Sequence, residues 1–164
     1  MKNATVKPIQ VAIADDSAVI RERLMQKLSQ LEGIQMAWQA QNAAEAIAAF
    51  QRLKPEVVIL DIQMPDGCGI EVLTHIKKES PRTTVIMLTN YPLPPFRKCC
   101  LQAGADYFFD KSTEFEKVID VLKFKARNNY YGNHDQENHP VREPALSHGP
   151  HPDRQPAPCE ESVV

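Results

Sequence analysis

Short apolar runs alternate with amphipathic stretches along the first 127 residues of the chain. The first run, residues 9–14, is rich in β-branched side chains and ends at a polar Asp-Asp-Ser sequence, which is typical of a buried strand. In the next stretch Ile20, Leu24 and Leu28 recur at four-residue spacing beside charged residues, which predicts an amphipathic helix with Gly33 as its C-terminal stop. The alternation predicts strands at residues 9–14, 34–40, 57–60, 83–88 and 106–109, with a helix after each.

Polar residues and prolines mark the ends of the predicted helices. Asn42 is placed to cap the second helix, which should stop before Pro55. The fourth helix is predicted within residues 94–104, with a proline at its start. Ser112 or Thr113 is expected to cap the last helix.

Alternating strands and helices predict an α/β fold, with a parallel sheet covered by helices on both faces. In such sheets the chemistry collects at the carboxyl ends of the strands. The residues at these ends are Asp15 and Asp16 after the first strand, Asp61 after the third, Thr89 after the fourth and Lys111 after the fifth. We therefore expect these five residues to converge at one edge of the sheet.

The chemistry of these side chains suits a metal ion and a phosphoryl group. Three carboxylates repel one another unless a cation joins them, and oxygen ligands without cysteine or histidine favour Mg²⁺. A lysine and a hydroxyl nearby could neutralise and hydrogen-bond the outer oxygens of a phosphoryl group. Asp can serve as the nucleophile and form an acyl phosphate.

At this point the sequence resembles a known family. The Asp15-Asp16 pair, the segment 61–69 (Asp-Ile-Gln-Met-Pro-Asp-Gly-Cys-Gly), Thr89 and Lys111 are together similar to the receiver domain of two-component response regulators. The resemblance covers about residues 8–126. It implies a flavodoxin-like fold with five helices and a five-stranded parallel sheet in the order 2-1-3-4-5.

The resemblance also implies roles for the acidic residues. Asp61 would accept the phosphoryl group. Asp16 and Asp61 would bind Mg²⁺ together with the backbone carbonyl of Gln63, and Asp15 would assist. These assignments make the chain a phosphorylation-dependent switch rather than an enzyme in its own right.

Further roles follow for residues that respond to the phosphoryl group. By resemblance, Thr89 would hydrogen-bond a phosphoryl oxygen and Lys111 would pair with the phosphoryl charge. Phe108 occupies the place of a switch aromatic in the family, although a core aromatic in a strand explains it as well. The usual partner surface lies on the fourth helix, fifth strand and fifth helix, here with Lys98, Phe108 and Lys117.

The chain departs from the family pattern at three places. The residue after Thr89 is usually small, and here it is Asn90, which could alter access to the phosphoacceptor. The residue after Lys111 is usually a proline in a cis bond, and here it is Ser112. The segment 91–95 contains three prolines, which stiffen the approach to the fourth helix.

Other functions remain as alternatives. Each site residue has an ordinary explanation when taken alone: the Asp15-Asp16 pair could cap a helix, and Lys111 could be a solvated lysine. The departures at Asn90, Ser112 and the prolines of segment 91–95 slightly favour a receiver-like interaction module that no longer switches through phosphorylation. The alternative is opposed by the intact residues Asp16, Asp61, Thr89 and Lys111. A P-loop nucleotidase lacks its GxxxxGK[ST] motif here, and a haloacid-dehalogenase phosphatase would need a second Asp where Gln63 stands.

Composition narrows the setting of the protein. The 164 residues carry a formal charge of −2, which argues against binding nucleic acid through bulk charge. The apolar runs are far shorter than a membrane-spanning helix requires, and the first residues lack the apolar core of a signal peptide. Four cysteines in this length do not form a disulfide framework. These features predict a cytoplasmic protein that does not contact a membrane.

The last 37 residues differ in composition from the rest. Residues 128–164 hold six of the 13 prolines and four of the five histidines, with two basic and six acidic residues, a net charge of −4. We therefore predict a receiver domain over residues 1–127 and a disordered tail over 128–164. No DNA-binding domain is expected in the chain. The predicted partners are a sensor histidine kinase or histidine phosphotransfer protein, and an unknown downstream protein.

Overall fold

Seven strands and five helices lie along residues 6–132, which the computed structural model describes. They are β1 (Ile9–Ala14), α1 (Ala18–Leu28), β2 (Ile34–Ala40), α2 (Ala43–Arg52), β3 (Val57–Leu60), β4 (Gln63–Met64), β5 (Gly67–Cys68), α3 (Gly69–Glu79), β6 (Thr84–Thr89), α4 (Pro94–Gln102), β7 (Tyr107–Asp110) and α5 (Phe115–Gly132).

Five of the strands form one parallel sheet in the order β2-β1-β3-β6-β7. The other two, β4 and β5, pair only with each other as a short antiparallel hairpin. With this hairpin set aside, the sheet has the predicted 2-1-3-4-5 order, and the flavodoxin-like fold class is confirmed. All five strands of the sheet therefore direct their carboxyl ends to the same edge.

Two hydrophobic cores lie on opposite faces of the sheet. One packs α2, α3 and α4 against side chains such as Ala12, Val58 and Met87, and the other packs α1 and α5 against Ile13, Ile59 and Ile86. Consecutive residues of each central strand thus alternate between the cores, so that β1 and β3 are buried almost throughout. Burial on both faces explains the nearly continuous apolar runs in the sequence.

Side chains cap the starts of two helices, at Ser17 and at Asn42. Ser17 accepts a hydrogen bond from the backbone nitrogen of Ile20 at 3.4 Å, and Asn42 accepts one from Glu45 at 2.8 Å. The cap predicted at Asn42 is therefore confirmed. Helix α4 begins at Pro94, as the sequence indicates.

The end of α1 and the start of α5 differ from the predictions. Helix α1 ends at Leu28, and Gly33, with a φ of 76°, makes the turn into β2 instead of stopping the helix. Helix α5 begins at Phe115, and the Thr113 hydroxyl, one of the two predicted caps, donates to Asp110 Oδ2 at 3.1 Å. Residue 114 therefore precedes the helix, because residues 110–114 form a turn of their own.

Helix α5 continues beyond the predicted end of the domain. Residues 128–132 are helical, which corrects their assignment to a disordered tail. Asn129 Nδ2 donates to the carbonyl of Lys7 at 2.8 Å and so ties the last turns to the segment before β1. The remainder of the predicted tail, residues 133–164, lies outside the described residues. Within residues 6–132, every helix is too short or too polar to cross a lipid bilayer.

Candidate functional site

The carboxyl edge of the sheet brings most of the predicted site residues together. Asp15 follows β1, Asp61 follows β3, Thr89 ends β6 and Lys111 follows β7. All four side chains are buried, with at most 6% of each residue exposed. Four polar residues buried at one edge of a sheet stand out against the apolar cores on either side.

A single ammonium group joins two of the carboxylates. Lys111 Nζ lies 2.7 Å from Asp15 Oδ2 and 2.9 Å from Asp61 Oδ2. The other oxygen of Asp15 accepts a hydrogen bond from the backbone nitrogen of Ser17 at 2.8 Å, which fixes the carboxylate at the start of α1. Because one cation serves two buried anions, this trio carries a net negative charge when all three groups are ionised.

A third carboxylate completes an acidic cluster. Asp16 is exposed, and one oxygen of each of Asp15, Asp16 and Asp61 lies within 4.8 Å of the other two. Such a spacing allows one ion to contact all three groups. The donors are hard oxygens, so the cluster fits a small divalent cation such as Mg²⁺. The predicted convergence of Asp15, Asp16, Asp61 and Lys111 is therefore present in the structure.

Burial and charge shift the pKa values of this site. Burial raises the pKa of Asp61, and the neighbouring charge of Asp15 adds to this, although the hydrogen bond from Lys111 acts the other way. Burial alone would lower the pKa of Lys111, but its hydrogen bonds and ion pairs with Asp15 and Asp61 outweigh that effect and raise it. The ammonium is thus firmly charged, while the negative charge on Asp61 is incompletely compensated.

These shifts predict how stability depends on pH. The folded protein holds a proton on Asp61 more tightly than the unfolded chain does, so ionisation of Asp61 lowers the free energy of unfolding as pH rises above about 3.9, the ordinary Asp value. The contribution of Lys111 to the free energy of unfolding is fully present below about pH 10.4, the ordinary pKa of lysine. This contribution is lost as the pH rises through the raised pKa of Lys111 in the folded protein. Urea denaturation across pH should show the Asp61→Asn variant gaining stability relative to the wild type as pH rises from about 4 to 7. A relative loss over that range would contradict the raised pKa.

Thr89 is tied to the segments on both sides of the site. Its carbonyl accepts a hydrogen bond from the backbone nitrogen of Lys111 at 2.9 Å. Its hydroxyl oxygen accepts one from the backbone nitrogen of Tyr91 at 3.0 Å, which leaves the hydroxyl hydrogen able to donate elsewhere. Asn90, between them, is exposed at the surface. The Lys111–Ser112 peptide bond is trans, as are all peptide bonds in residues 6–132.

Gly69 allows α3 to approach the backbone of Asp61. Its nitrogen donates to the carbonyl of Ile62 at 2.7 Å, and a Cβ at this position would lie 1.8 Å from the backbone oxygen of Asp61. Any other residue would displace either Asp61 or the start of α3. Gly69 is visible in the sequence as part of the 61–69 motif. Its close contact with the backbone of Asp61, however, forms only because the hairpin of β4 and β5 returns the chain to Asp61.

An open depression of about 470 Å³ adjoins the acidic cluster. Asp16 and Gln63 both line it, together with the apolar side chains of Met64 and Phe96. Gln63, which was predicted to contribute a backbone carbonyl, thus lines the same depression as Asp16. The depression leaves the cluster open to solvent from this direction.

A match to a protein-family model identifies the family of this chain. The family model described as the response regulator receiver domain matches residues 11–123 of this chain. The chain belongs to the response regulator receiver family. This receiver is therefore a two-component signalling domain, and domains of its family take phosphoryl groups from kinases and act as switches rather than as classical enzymes.

Relatives and solved structures agree with this assignment. The receiver is 31% identical over 119 residues to the response regulator protein VraR of Staphylococcus aureus, an alignment that covers 73% of this chain and 57% of VraR. It is 31% identical to the response regulator domain of CheB from Thermotoga maritima, with a TM-score of 0.64 over 76% of this chain and 97% of the other. A CheY-like receiver domain protein from Methanospirillum hungatei JF-1 shares 26% identity with a TM-score of 0.67, over 76% of this chain and 98% of the other. The chain thus spans just over half the length of VraR.

The predicted partner surface is partly exposed in this receiver. Lys98 on α4 and Lys117 on α5 are exposed, and Lys117 pairs with Glu114 at 2.6 Å. Phe108 is only 4% exposed, because it packs into the core beside α4 with the guanidinium of Arg97 4.8 Å from its ring centroid. In this conformation Phe108 therefore contributes to the core and not to the surface.

Two arginines contact the site region without having been predicted. Arg21 Nη1 donates to the backbone carbonyl of Asp15 at 2.7 Å and braces the turn between β1 and α1. Arg97 covers Phe108 and lies 4.0 Å from Glu114 Oε2. Both residues look like ordinary charged positions on amphipathic helices, so their contacts appear only once the helices are packed.

Proposed function

We propose that this receiver is a switch controlled by phosphorylation of Asp61. The observation that carries the proposal is the buried carboxylate of Asp61, held 2.9 Å from Lys111 Nζ, with the carboxylates of Asp15 and Asp16 within reach of a common ion. The phosphoryl group would come from a sensor histidine kinase or a histidine phosphotransfer protein. A nucleophile, a fixed cation and a cluster of carboxylates that can bind a metal ion are the parts that phosphoryl transfer to Asp requires.

The transfer step follows from the positions of these groups. A carboxylate oxygen of Asp61 attacks the phosphorus of phosphohistidine, a new O–P bond forms as the N–P bond breaks, and the bonding electrons remain on the imidazole nitrogen. Lys111 is charged at neutral pH and neutralises part of the negative charge on the transferred group. Thr89 can donate its hydroxyl hydrogen to a phosphoryl oxygen, because the bond from Tyr91 uses only the oxygen as an acceptor.

The acidic cluster is the proposed site of Mg²⁺. Asp15, Asp16 and Asp61 would hold the ion, with the backbone carbonyl of Gln63 as a further ligand. When bound, Mg²⁺ supplies charge that offsets repulsion between the carboxylates and the incoming phosphoryl group. Asp16 is exposed beside the open depression, so the ion and the phosphodonor can approach from the same side.

Output is proposed to pass through protein–protein contacts of α4, β7 and α5 with an unknown downstream protein. The exposed Lys98 and Lys117 would contribute cations to this surface, and the buried Phe108 would respond to phosphorylation from the inside. We place the protein in the cytoplasm, where histidine kinases present their phosphoryl groups. Asn90, exposed next to Thr89, is proposed to modify access to Asp61.

Labelling with a small phosphodonor tests the proposal. The full chain is incubated with phosphoramidate or acetyl phosphate and Mg²⁺, and its intact mass is recorded; a parallel sample contains EDTA instead of the metal. The switch predicts addition of one phosphoryl group with Mg²⁺ and much less without it. An unlabelled protein that nevertheless binds Mg²⁺ would support the alternative, a receiver-fold interaction module that no longer switches.

A further inference from the structure

The loop that carries Lys111 is shaped by the side chain of the preceding residue. Asp110 Oδ1 accepts a hydrogen bond from the backbone nitrogen of Ser112 at 2.8 Å, and Asp110 Oδ2 accepts one from the hydroxyl of Thr113 at 3.1 Å. The carboxylate of Asp110 therefore turns the chain immediately after Lys111. Asp favours such local bonds to the following backbone.

The same loop is closed by a reciprocal pair of hydrogen bonds. The backbone nitrogen of Glu114 donates to the carbonyl of Asp110 at 2.8 Å, and the backbone nitrogen of Asp110 donates to Glu114 Oε2 at 3.0 Å. Each residue thus satisfies a backbone group of the other across the loop. The arrangement resembles a capping box, in which two residues near a helix start each accept a hydrogen bond from the backbone nitrogen of the other.

Lys111 depends on this loop for its position. Its ammonium must reach Asp15 and Asp61 at 2.7 Å and 2.9 Å while the residue is only 6% exposed. A long, flexible side chain can be held in one place at low entropic cost only when its backbone is fixed. On the inner side this backbone is fixed by the bond from Lys111 to the carbonyl of Thr89 at 2.9 Å. On the outer side, the backbone nitrogens of the two residues that flank Lys111 are held by side chains, that of Asp110 by Glu114 and that of Ser112 by Asp110.

We propose that Asp110 and Glu114 are positioning residues that hold Lys111 against the phosphoacceptor. The proposal rests on the proposed function of Asp61, and neither residue touches the reacting atoms. Glu114 reaches the amide of Asp110, one residue before Lys111, and Asp110 reaches the amide of Ser112, one residue after it. Together the two carboxylates fix the backbone on both sides of the lysine.

The electrostatic surroundings of Glu114 are consistent with this role. Its pKa is lowered by the ammonium of Lys117 and by the hydrogen bond from the backbone of Asp110. Lys117 uses the opposite oxygen, Oε1, so the oxygen that accepts from Asp110 remains available for the loop. A substitution at Glu114 can therefore remove the ion pair with Lys117 and keep the hydrogen bond from the backbone nitrogen of Asp110.

Substitutions at Glu114 test the proposal in the full chain. Glu114→Gln keeps an oxygen that can accept from the amide of Asp110, whereas Glu114→Ala removes it. Glu116→Gln is the matched control, because it neutralises an acid only two residues away, in the first turn of α5, whose partners are Arg23 and Lys27 on α1. Two quantities are measured: the rate of labelling by a small phosphodonor with Mg²⁺, and hydrogen exchange at the amides of residues 110 and 112 without phosphodonor.

The proposal predicts that Glu114→Ala slows labelling about tenfold or more, since small misplacements of a reacting group cost up to about a hundredfold. Exchange at the amide of Asp110 should become faster in the same variant, while Glu114→Gln and Glu116→Gln stay close to the wild type. Equal rates in the Ala and Gln variants, whether both slow or both normal, would overturn the proposal. If Glu114→Ala unfolds, the comparison of Asp110→Asn with Asp110→Ala makes the same test at Ser112.

Failure of the proposed function would be recognised separately. If the wild type is not labelled at all, phosphorylation of Asp61 is refuted, and the NMR signal of the Lys111 ammonium becomes the readout for positioning. A signal that shifts in Glu114→Ala but not in Glu114→Gln would still support a positioning role. An ammonium signal that is unchanged in both variants would overturn it.

Discussion

Replacing Asp61 with Asn is expected to abolish phosphorylation of this receiver and leave its fold in place. The amide nitrogen and oxygen occupy nearly the same volume as the carboxylate but are far poorer nucleophiles. The change also removes one of two buried anions that share the ammonium of Lys111, which keeps its ion pair with Asp15 at 2.7 Å. The free energy of unfolding at neutral pH should therefore increase. Intact mass after treatment with phosphodonor and Mg²⁺, and urea denaturation followed by circular dichroism, measure the two effects.

Asp66→Asn provides the matched control for this experiment. Asp66 lies in the same 61–69 segment, is exposed, and loses the same charge on substitution. Its variant should be labelled at the wild-type rate and should unfold within about 0.5 kcal/mol of the wild type. Labelling of Asp61→Asn to the wild-type extent would disprove the assignment of the phosphoacceptor.

Replacing Lys111 with Met is expected to cause the largest loss of stability. The substitution leaves the carboxylates of Asp15 and Asp61 buried without their shared cation, and loss of one partner from a buried ion pair costs about 3–5 kcal/mol. Protonation of a carboxylate relieves part of this cost, so the deficit should shrink as pH falls. Phosphorylation should also slow markedly, because the fixed positive charge beside Asp61 is gone. Urea denaturation at pH values from about 4 to 7 measures the stability effect.

Two further variants show whether the ion pair is the cause. Lys78→Met removes an exposed lysine from α3 and should change stability by no more than about 0.5 kcal/mol. The double variant Lys111→Met with Asp61→Asn should recover a large part of the stability lost by Lys111→Met alone, since only Asp15 then remains uncompensated. If Asp61→Asn adds no more stability to the Lys111→Met variant than it adds to the wild type, Lys111 and Asp61 are not coupled.

The convergence of the site could be predicted because it depends on strand topology. Asp15, Asp61 and Lys111 are far apart in sequence, but each directly follows a strand of a parallel sheet, and parallel strands end at one edge. The cap at Asn42 could also be predicted, since it depends on a side chain and a backbone group only three residues apart. Local chemistry and strand topology were therefore sufficient to predict the acidic cluster from the sequence.

Contacts between distant elements could not be read from the sequence. The approach of Gly69 to the backbone of Asp61 depends on the hairpin of β4 and β5, whose two-residue strands are too short to show a periodicity. The extension of α5 is anchored by Asn129 to Lys7, 122 residues away, while asparagine itself has only moderate helix propensity. Arg97 likewise reaches Phe108 only when α4 is packed against β7.

The most direct test of the central claim is to identify the phosphorylated residue. The full chain is labelled with phosphodonor and Mg²⁺, the acyl phosphate is reduced with borohydride to convert the modified Asp to homoserine, and the peptides are analysed by tandem mass spectrometry. The account predicts homoserine at position 61 and at no other acidic position. Conversion of Asp15, Asp16 or Asp66, or a label retained on a serine or threonine, would contradict the account.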